Sequence, residues 1–527
     1  MTRKQSAPLL VFALLLAVYA LTLASGVALW DSGEFLAAIK TLGIPHPAGT
    51  PFYVLVARLW SLLLAPVFGF ARSVNLFSAA ATAAACAIVA YLIARWSGKI
   101  VAGICAGILG GAMTTVWSSA TETEVYALAL LLGCVILFAA DRCGRQGDLK
   151  WGMLAAYLCG LALSLHLSTF VVVPAALVLA FTDRDGTVGI PSGRRRPDGR
   201  RSHHRPISVG LAAFALFLLG ASCVAFLLIR ARHDPAINQG NPSTIASLWD
   251  VLTRRQYGAR TLWPRSAPLY LQIGNLFQYA DWQFALGLSQ SPGPSFARTP
   301  ITIVFAMLGI AGCIDHRRID RRSWRAWLTL LVVASLGVIV YLNLKAGPSY
   351  GHGIVPAGNH EARERDYFFF FVFVSWAGWA AIGLARAARR LPAALASLPI
   401  VVAALPLALN WTTMDRSHAT GDSAARELAL TIVQDLPPNA VLLSIGDNDT
   451  YPVWYIQQVE GIRPDVTVVT LPLLSASWYR AELARRTHLL GSSAPAQWLG
   501  EQATVESIRS HAAASHRPVI NSLLSSH

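Results

Sequence analysis

Long apolar runs separated by short polar connections dominate this chain, and their spacing predicts a bundle of membrane-spanning helices. A crossing needs about 20 apolar residues. Runs near that length cover Leu9 to Leu23 and then roughly 74–94, 100–118, 124–141, 151–165, 168–182, 207–229, 300–314, 327–345, 367–385 and 392–410. Counted together they give about eleven crossings, several short enough to be broken or tilted. Four connections are rich in Arg and Lys: one with Arg142, Arg145 and Lys150; 183–206, with Arg194, Arg195, Arg196, Arg200, Arg201 and Arg205; one with Arg317, Arg318, Arg321, Arg322 and Arg325; and one with Arg386, Arg389 and Arg390. Basic connections stay on the cytoplasmic side. Placing them there together with Met1 leaves 30–72, 118–124, 230–299, 346–366 and everything after about 411 outside.

The stretch "PFYVLVARLWSLLLAPVFG" at 51–69 resembles a further span. Counting it as a crossing would move Arg95, Lys99 and the later basic connections outside. It is therefore expected to lie in the outer interface or dip partway, with Arg58 snorkelling. The first run follows Met-Thr-Arg-Lys and is compatible with a cleaved signal peptide. Its length, and the acidic motif directly behind it, favour an uncleaved anchor.

Composition agrees with this reading. Of 527 residues, 54% are hydrophobic and 13% charged, against about 25% charged in soluble domains. The net charge of +15 follows from topology and does not require a nucleic-acid partner. Most of the seven cysteines sit in apolar runs, form no CxxC pair and are odd in number, so they read as small core residues. No Walker A loop, Rossmann fingerprint or HExxH is present. Beyond Trp411 the pattern changes. Val441–Ser444 and Val466–Thr470 read as strands, 451–460 as a helix, and "GDNDT" at 446–450 as an Asx-rich turn. The fold class expected is an all-α polytopic membrane protein (1–410) carrying a small α/β extracytoplasmic domain (411–527).

Within this frame the acidic residues stand out. Asp31 and Glu34 follow the first span, and "SSATETE" puts Glu122 and Glu124 on the same outer side. Carboxylates beside lipid are costly unless they line a watered pocket, which makes them functional candidates. One of them can take a proton from an attacking hydroxyl as general base. Glu122 and Glu124 are candidates for orienting an acceptor. A divalent cation there is possible but not favoured, so no metal site is assigned. The outer loop "KAGPSYGHGIVPAGNHEARERDYFFFF" adds His352, His360, Arg363 and Arg365. Guanidinium forks suit phosphate oxygens, while the interleaved Glu361, Glu364 and Asp366 allow a plain salt-bridged loop end. His46 and His166 have structural readings beside functional ones. Aromatics of 230–299 (Trp249, Tyr257, Phe277, Tyr279, Trp282, Phe284) read first as an interfacial belt, with sugar stacking as the other option.

Four motifs, "WDSGEFLAAIKTLGIPHPAGTPFYVL", "TETEVYAL", "NHEARERDYFF" and "GDNDTYPVWYIQQVEGIRPDV", resemble the bacterial protein O-mannosyltransferase-like membrane family, similar to the eukaryotic transmembrane O-mannosyltransferase of plexin-type receptors. The resemblance covers nearly the whole chain and is weakest at 183–206. It implies the GT-C fold, a polyprenyl-phosphate sugar donor, inversion at the anomeric carbon and an Asp of the first outer loop as base. Carried over, Asp31 is the base with Glu34 beside it, and His46 with Pro47 matches the His-Pro element of that loop. Some relatives are expected to continue beyond His527 with a further module that this chain lacks.

The expected function is a lipid-phosphate-dependent hexosyltransferase, mannose first, in the inner (cytoplasmic) membrane with its site facing the periplasm or exterior. Its acceptor would be a Ser/Thr of an exported protein or a glycan hydroxyl, with donor phosphate near Arg363 and Arg365. Membrane lipid is a partner, nucleic acid is not, and no cofactor is required. The rival is a transporter or flippase of lipid-linked sugars. One-sided acidic residues and the absence of internal repeats favour the enzyme. A membrane scaffold displaying 411–527 would explain neither charged cluster.

Overall fold

The computed structural model describes all residues except 1–2, 183–205, 259–260, 391, 419–422, 493–497 and 523–527. The basic connection 183–206 therefore falls almost entirely outside the described residues. Helices α1 (Arg3–Leu21), α2 (Ser32–Thr41), α3 (Pro51–Phe68), α4 (Phe70–Ser97), α5 (Ile100–Ala112), α6 (Thr114–Thr121), α7 (Val125–Gln146), α8 (Leu149–Leu163) and α9 (Val173–Phe181) form the first half of the bundle. The second half comprises α10 (Pro206–Ala221), α11 (Ala225–Ala231), α12 (Ile245–Leu252), α13 (Leu269–Trp282), α14 (Thr299–Ile319), α15 (Arg321–Val332), α16 (Val338–Leu342), α17 (Phe370–Ala387) and α18 (Leu398–Met414). Proline in the first turn of α3, α9, α14 and α18 presets the helical φ where no amide donor is needed.

Among the described residues, seven helical segments are long and apolar enough to cross a membrane, or eight if α5 and α6, bent by 67°, count as one broken span. Four shorter apolar helices, Ser6–Leu21, Leu149–Leu163, Leu167–Phe181 and Leu398–Met414, coincide with expected crossings but fall short of about 20 residues. The multi-pass architecture thus stands, with seven or eight spans that meet the length and composition test among the described residues. Pro51–Phe68 is one of the seven. Its expected place in the interface rests on the parity of the basic connections alone. The outer connection expected at 118–124 shrinks to 122–124, because α6 runs to Thr121.

After α18 come α19 (Ser423–Val433), β1 (Val441–Ser444), α20 (Asp447–Tyr455), β2 (Thr467–Thr470), α21 (Ser477–Glu482), α22 (Glu501–Ala514) and β3 (Val519–Asn521). The sheet is parallel, in the order β2-β1-β3, with Val441 opposite Thr467 and Val519. β3 carries no strong sequence signal: only three residues pair. The "GDNDT" segment is the start of a helix, not a free turn. Asp449 accepts the amides of Ile445 (2.9 Å) and Gly446 (2.8 Å), as an acidic residue in a first helical turn can.

This region shares an apolar core with the bundle: Ala425, Leu442, Val453, Tyr455, Ile456 and Val466 are continuous with the buried faces of α1, α2, α4 and α7. A smaller core of Val441, Leu443, Val469, Leu474 and Ile508 lies across the sheet. Helix α2 packs directly on α20. At their crossing a Cβ on Gly33 would overlap the Tyr451 carbonyl, so only glycine permits this approach.

Candidate active site

The site forms where α2, the N-terminus of α7, the loop before α17 and the start of α20 meet. Asn75 of α4 ties two of these together. It donates to the carbonyls of Ala24 (3.0 Å) and Gly26 (2.9 Å) and accepts from Thr123 (2.6 Å). The chain leading to Asp31 is thereby fixed beside the one carrying Glu124.

Asp31 caps α2, with 14% of its side chain exposed, and accepts from Arg363 Nη2 at 2.6 Å. Arg363 lies over the rings of Trp30 (5.0 Å) and Tyr367 (4.8 Å). Burial would raise the Asp31 carboxyl, but Arg363, with help from His46 and Arg365, holds it below the usual carboxylate value. Burial works against charge on Arg363 too, and the same pairing keeps it firmly protonated. The pair therefore persists in its ionised form.

Glu34 is fully buried. It accepts from the His46 amide (2.7 Å), faces His46 Nδ1 at 2.6 Å, and is bonded by the Gln239 side chain. With both oxygens engaged and no exposure it fastens the His-Pro loop and stands apart from solvent. Burial disfavours charge on His46, yet the neighbouring Glu34 carboxylate outweighs it and lifts the imidazole to about 9. At neutral pH the imidazolium adds a positive charge near Asp31. His166 is the opposite case: burial, reinforced by Arg254, lowers it to about 3, and its Nδ1 lies 2.8 Å from the Ser168 hydroxyl. It is neutral.

The two acidic residues of the second loop part company. Glu122 pairs with Arg416. Glu124 is buried, one carboxyl oxygen has no partner, and burial followed by the charge on Asp31 pushes it well above the ordinary range. It favours the protonated state and can donate a hydrogen bond. Among the described residues, no group of three or more His, Cys, Asp or Glu side chains is arranged to hold a metal ion.

Arg365 pairs with Glu361 (3.0 Å) and reaches the Tyr367 hydroxyl. It lines a small cleft with Tyr279, Asn275, Lys345 and Phe369. Tyr279 donates to Glu364 (2.9 Å). His352 and His360 stack on each other (4.8 Å) in the loop and His360 Nδ1 meets the Gly347 carbonyl (2.8 Å). Both histidines pack within the loop, and among the described residues no hydrogen bond, ion pair or ring contact joins them to Asp31. The expected aromatic belt is split: Trp249, Tyr257 and Phe277 are exposed, whereas Tyr279 and Phe284 are core residues.

Sequence reasoning missed three contributors. Gln239, in "INQGNPS", binds Glu34. Asn448, inside the segment read as a turn, accepts the Trp30 amide at 2.7 Å. Its neighbour Asp447 is exposed at the edge of the site, yet desolvation by the surrounding protein, with the charges on Asp31 and Glu34, raises it to about 6. The polar run "GDNDT" was the only signal for the last two.

Fold and site together define a multi-pass membrane protein with a charged, partly buried centre at one end of its helix bundle. Residues 31–188 match the family model of the protein O-mannosyl-transferase TMEM260 N-terminal domain, and residues 425–511 match TMEM260-associated domain 2. These segments contain the motifs "TETEVYAL" and "GDNDTYPVWYIQQVEGIRPDV" and all of "WDSGEFLAAIKTLGIPHPAGTPFYVL" except Trp30. The chain is 25% identical over 510 residues to protein O-mannosyl-transferase TMEM260 of Mus musculus, covering 92% of this chain and 65% of that protein. To the Dictyostelium discoideum protein of the same description it is 19% identical over 502 residues, covering 88% and 57%. The chain thus spans about two thirds or less of these relatives' length. Among solved structures it is similar to ArnT from Cupriavidus metallidurans bound to undecaprenyl phosphate (TM-score 0.44, 13% identity, 87% and 89% coverage). It is also similar to the archaeal oligosaccharyltransferase AglB from Archaeoglobus fulgidus in complex with an inhibitory peptide and a dolichol-phosphate (0.47, 11%, 96% and 69%).

Proposed function

We propose that this protein is a membrane glycosyltransferase. It moves a sugar, mannose first, from a polyprenyl-phosphate donor to a hydroxyl of an exported protein or glycan on the outer face of the cytoplasmic membrane. The observation that carries this reading is the ion pair of Asp31 and Arg363, flanked by the His46 imidazolium. A preformed carboxylate beside a stacked guanidinium supplies a proton acceptor and a phosphate ligand in one place.

The step follows from these groups. The acceptor hydroxyl gives its proton to Asp31 while its oxygen forms the new bond to the anomeric carbon. The bond from that carbon to the phosphate oxygen breaks on the opposite face, and the phosphate leaves with the electron pair. Attack opposite the leaving group inverts the centre. Arg363 and Arg365 neutralise the charge that develops on the departing phosphate. A donor phosphate drawing on Arg363 also loosens its hold on Asp31, which raises the carboxylate's basicity when the base is needed. Glu124 donates to a substrate oxygen, and Glu34 serves as a positioning residue through His46.

The deciding experiment is transfer in nanodiscs from polyprenyl-phosphate-mannose to exported-protein peptides, comparing wild type with Asp31→Asn. Sugar on peptides with wild type alone supports the reading. Equal transfer by both removes Asp31 as base. No transfer by either, with accelerated movement of donor between leaflets, replaces the enzyme with the transporter.

A further inference from the structure

At the end of the bundle opposite Asp31, the structure holds a second charged centre that the transfer reaction does not use. Helix α4 has 28 residues, so about 42 Å separates its two ends at 1.5 Å per residue. Asn75 near its start braces the Asp31 site, while Arg95, Trp96 and Gly98 at its far end line a cavity of about 510 Å³. The other walls are Arg145 from the end of α7 and Arg318, Ile319, Asp320 and Arg321 from the junction of α14 and α15.

The charges here do not balance. Asp141 is buried and serves Arg95 (3.2 Å), Arg145 (2.9 Å) and Arg322 (2.8 Å), and Asp320 serves Arg145. Five guanidinium groups, counting Arg318 and Arg321, therefore face two carboxylates. Arg318 and Arg321 are exposed at the mouth, and neither has a hydrogen-bond or ion-pair partner among the described residues. Trp96 donates to Asp141 at 3.1 Å and fixes the floor. A Cβ built on Gly98 meets nothing within 4 Å, so the cavity is open beside it. Preference for Arg on one membrane side explains the sign of these charges. It does not explain why they converge on a cavity with two of them unpartnered.

We infer that this cavity binds a phosphate group through Arg318 and Arg321, and that the phosphate is the headgroup of an anionic membrane lipid. Guanidinium forks at a cavity mouth match phosphate oxygens, and basic pockets between spans recognise lipid headgroups. The lipid source is favoured by the neighbouring surface. Ile303, Val304, Met307, Ile310 and Ile314 form an exposed apolar stripe along α14 that leads to Ile319 in the cavity wall. Acyl chains lie along such a stripe while the headgroup sits among the arginines.

The test uses the full-length protein purified in detergent, with lipid retention read by native mass spectrometry. The probes are phosphatidylglycerol and phosphatidylcholine of matched chains, with wild type and the double variant Arg318→Gln/Arg321→Gln. Both side chains are exposed, and an unchanged elution profile and melting temperature check the fold. Wild type should retain phosphatidylglycerol over phosphatidylcholine. The variant should retain it roughly thirtyfold more weakly, at about a factor of five or six for each Arg lost. Equal retention of the two lipids by wild type, or undiminished phosphatidylglycerol in the variant, overturns the inference. Inorganic phosphate alone separates the sources: displacement of the lipid at millimolar concentration assigns the site to phosphate in general, and no displacement assigns it to the lipid form.

Discussion

Arg363 donates to Asp31 at 2.6 Å across 332 positions of sequence, joining the loop before α2 to the loop before α17. The loop before α17 is thereby a structural partner of the candidate base. Replacing Asp31 by Asn keeps the shape and removes the proton acceptor. Transfer should fall by about 10²- to 10⁴-fold in kcat, the usual worth of a general base, with donor affinity little changed. Arg363→Gln should instead weaken donor binding and kcat together, since the guanidinium holds the base and is the phosphate ligand of the proposed reaction. Steady-state kinetics in nanodiscs distinguishes the two patterns.

His46 gives a pH signature. Its folded value of about 9 stands above the ordinary imidazole value of about 6.5. The folded state therefore holds the proton more tightly. The stabilisation from the Glu34–His46 pair is complete below about pH 6.5 and is lost as pH rises through 9. The melting temperature of wild type should decline over that window. His46→Gln should lack this part of the decline, and Glu34→Gln should shift it to lower pH. Calorimetry or nanoDSF at steps between pH 6 and 10 reads it, and identical profiles for wild type and His46→Gln would refute the pairing.

Gly33 meets the Tyr451 carbonyl at the α2–α20 crossing. The backbone cannot yield as a flexible side chain would, so Gly33→Ala must separate the helices. Overpacking of this kind costs about 1–3 kcal/mol, and here the displacement moves Asp31, two residues away. Activity should fall further than the modest loss of melting temperature implies. Gly26→Ala is the control, because a Cβ there meets nothing within 4 Å and should leave both nearly unchanged.

The sequence was most legible where periodicity is long. Each apolar run expected to cross became helical, with 100–118 broken into α5 and α6 by a 67° bend, because an uninterrupted run has one low-energy form in lipid. Val441–Ser444 was equally clear. What failed was local and cooperative. "GDNDT" carries every mark of an Asx turn, yet Asp449 turns its carboxylate onto the preceding amides and starts a helix. β3 exists only because β1 offers it an edge. In the site, residue types pointed to Asp31, Arg363 and Glu124, but no pattern could separate Glu34, sealed against His46, from Asp31, three residues earlier and partly exposed. Gln239 and Asn448 contribute through contacts between segments some 200 to 400 residues apart, which a single sequence does not display.

The last of those contacts has a kinetic consequence. Asn448 accepts the Trp30 amide at 2.7 Å, and Trp30 stacks on Arg363, so the start of α20 helps to set the ion pair. Asp447 beside it is lifted to about 6 by desolvation and by the charges on Asp31 and Glu34. A carboxyl raised in this way is neutral below about pH 6, and its ionisation above that value costs stability and adds negative potential to the site. A phosphate donor approaching Asp31 meets the added repulsion. The donor KM of wild type should therefore rise several-fold between pH 5 and 7.5, whereas that of Asp447→Asn should stay flat and low. Asn448→Ala should lower kcat at every pH by releasing Trp30. A wild-type KM that does not change across this window would remove Asp447 from the donor's path and leave α20 a purely mechanical support for Arg363.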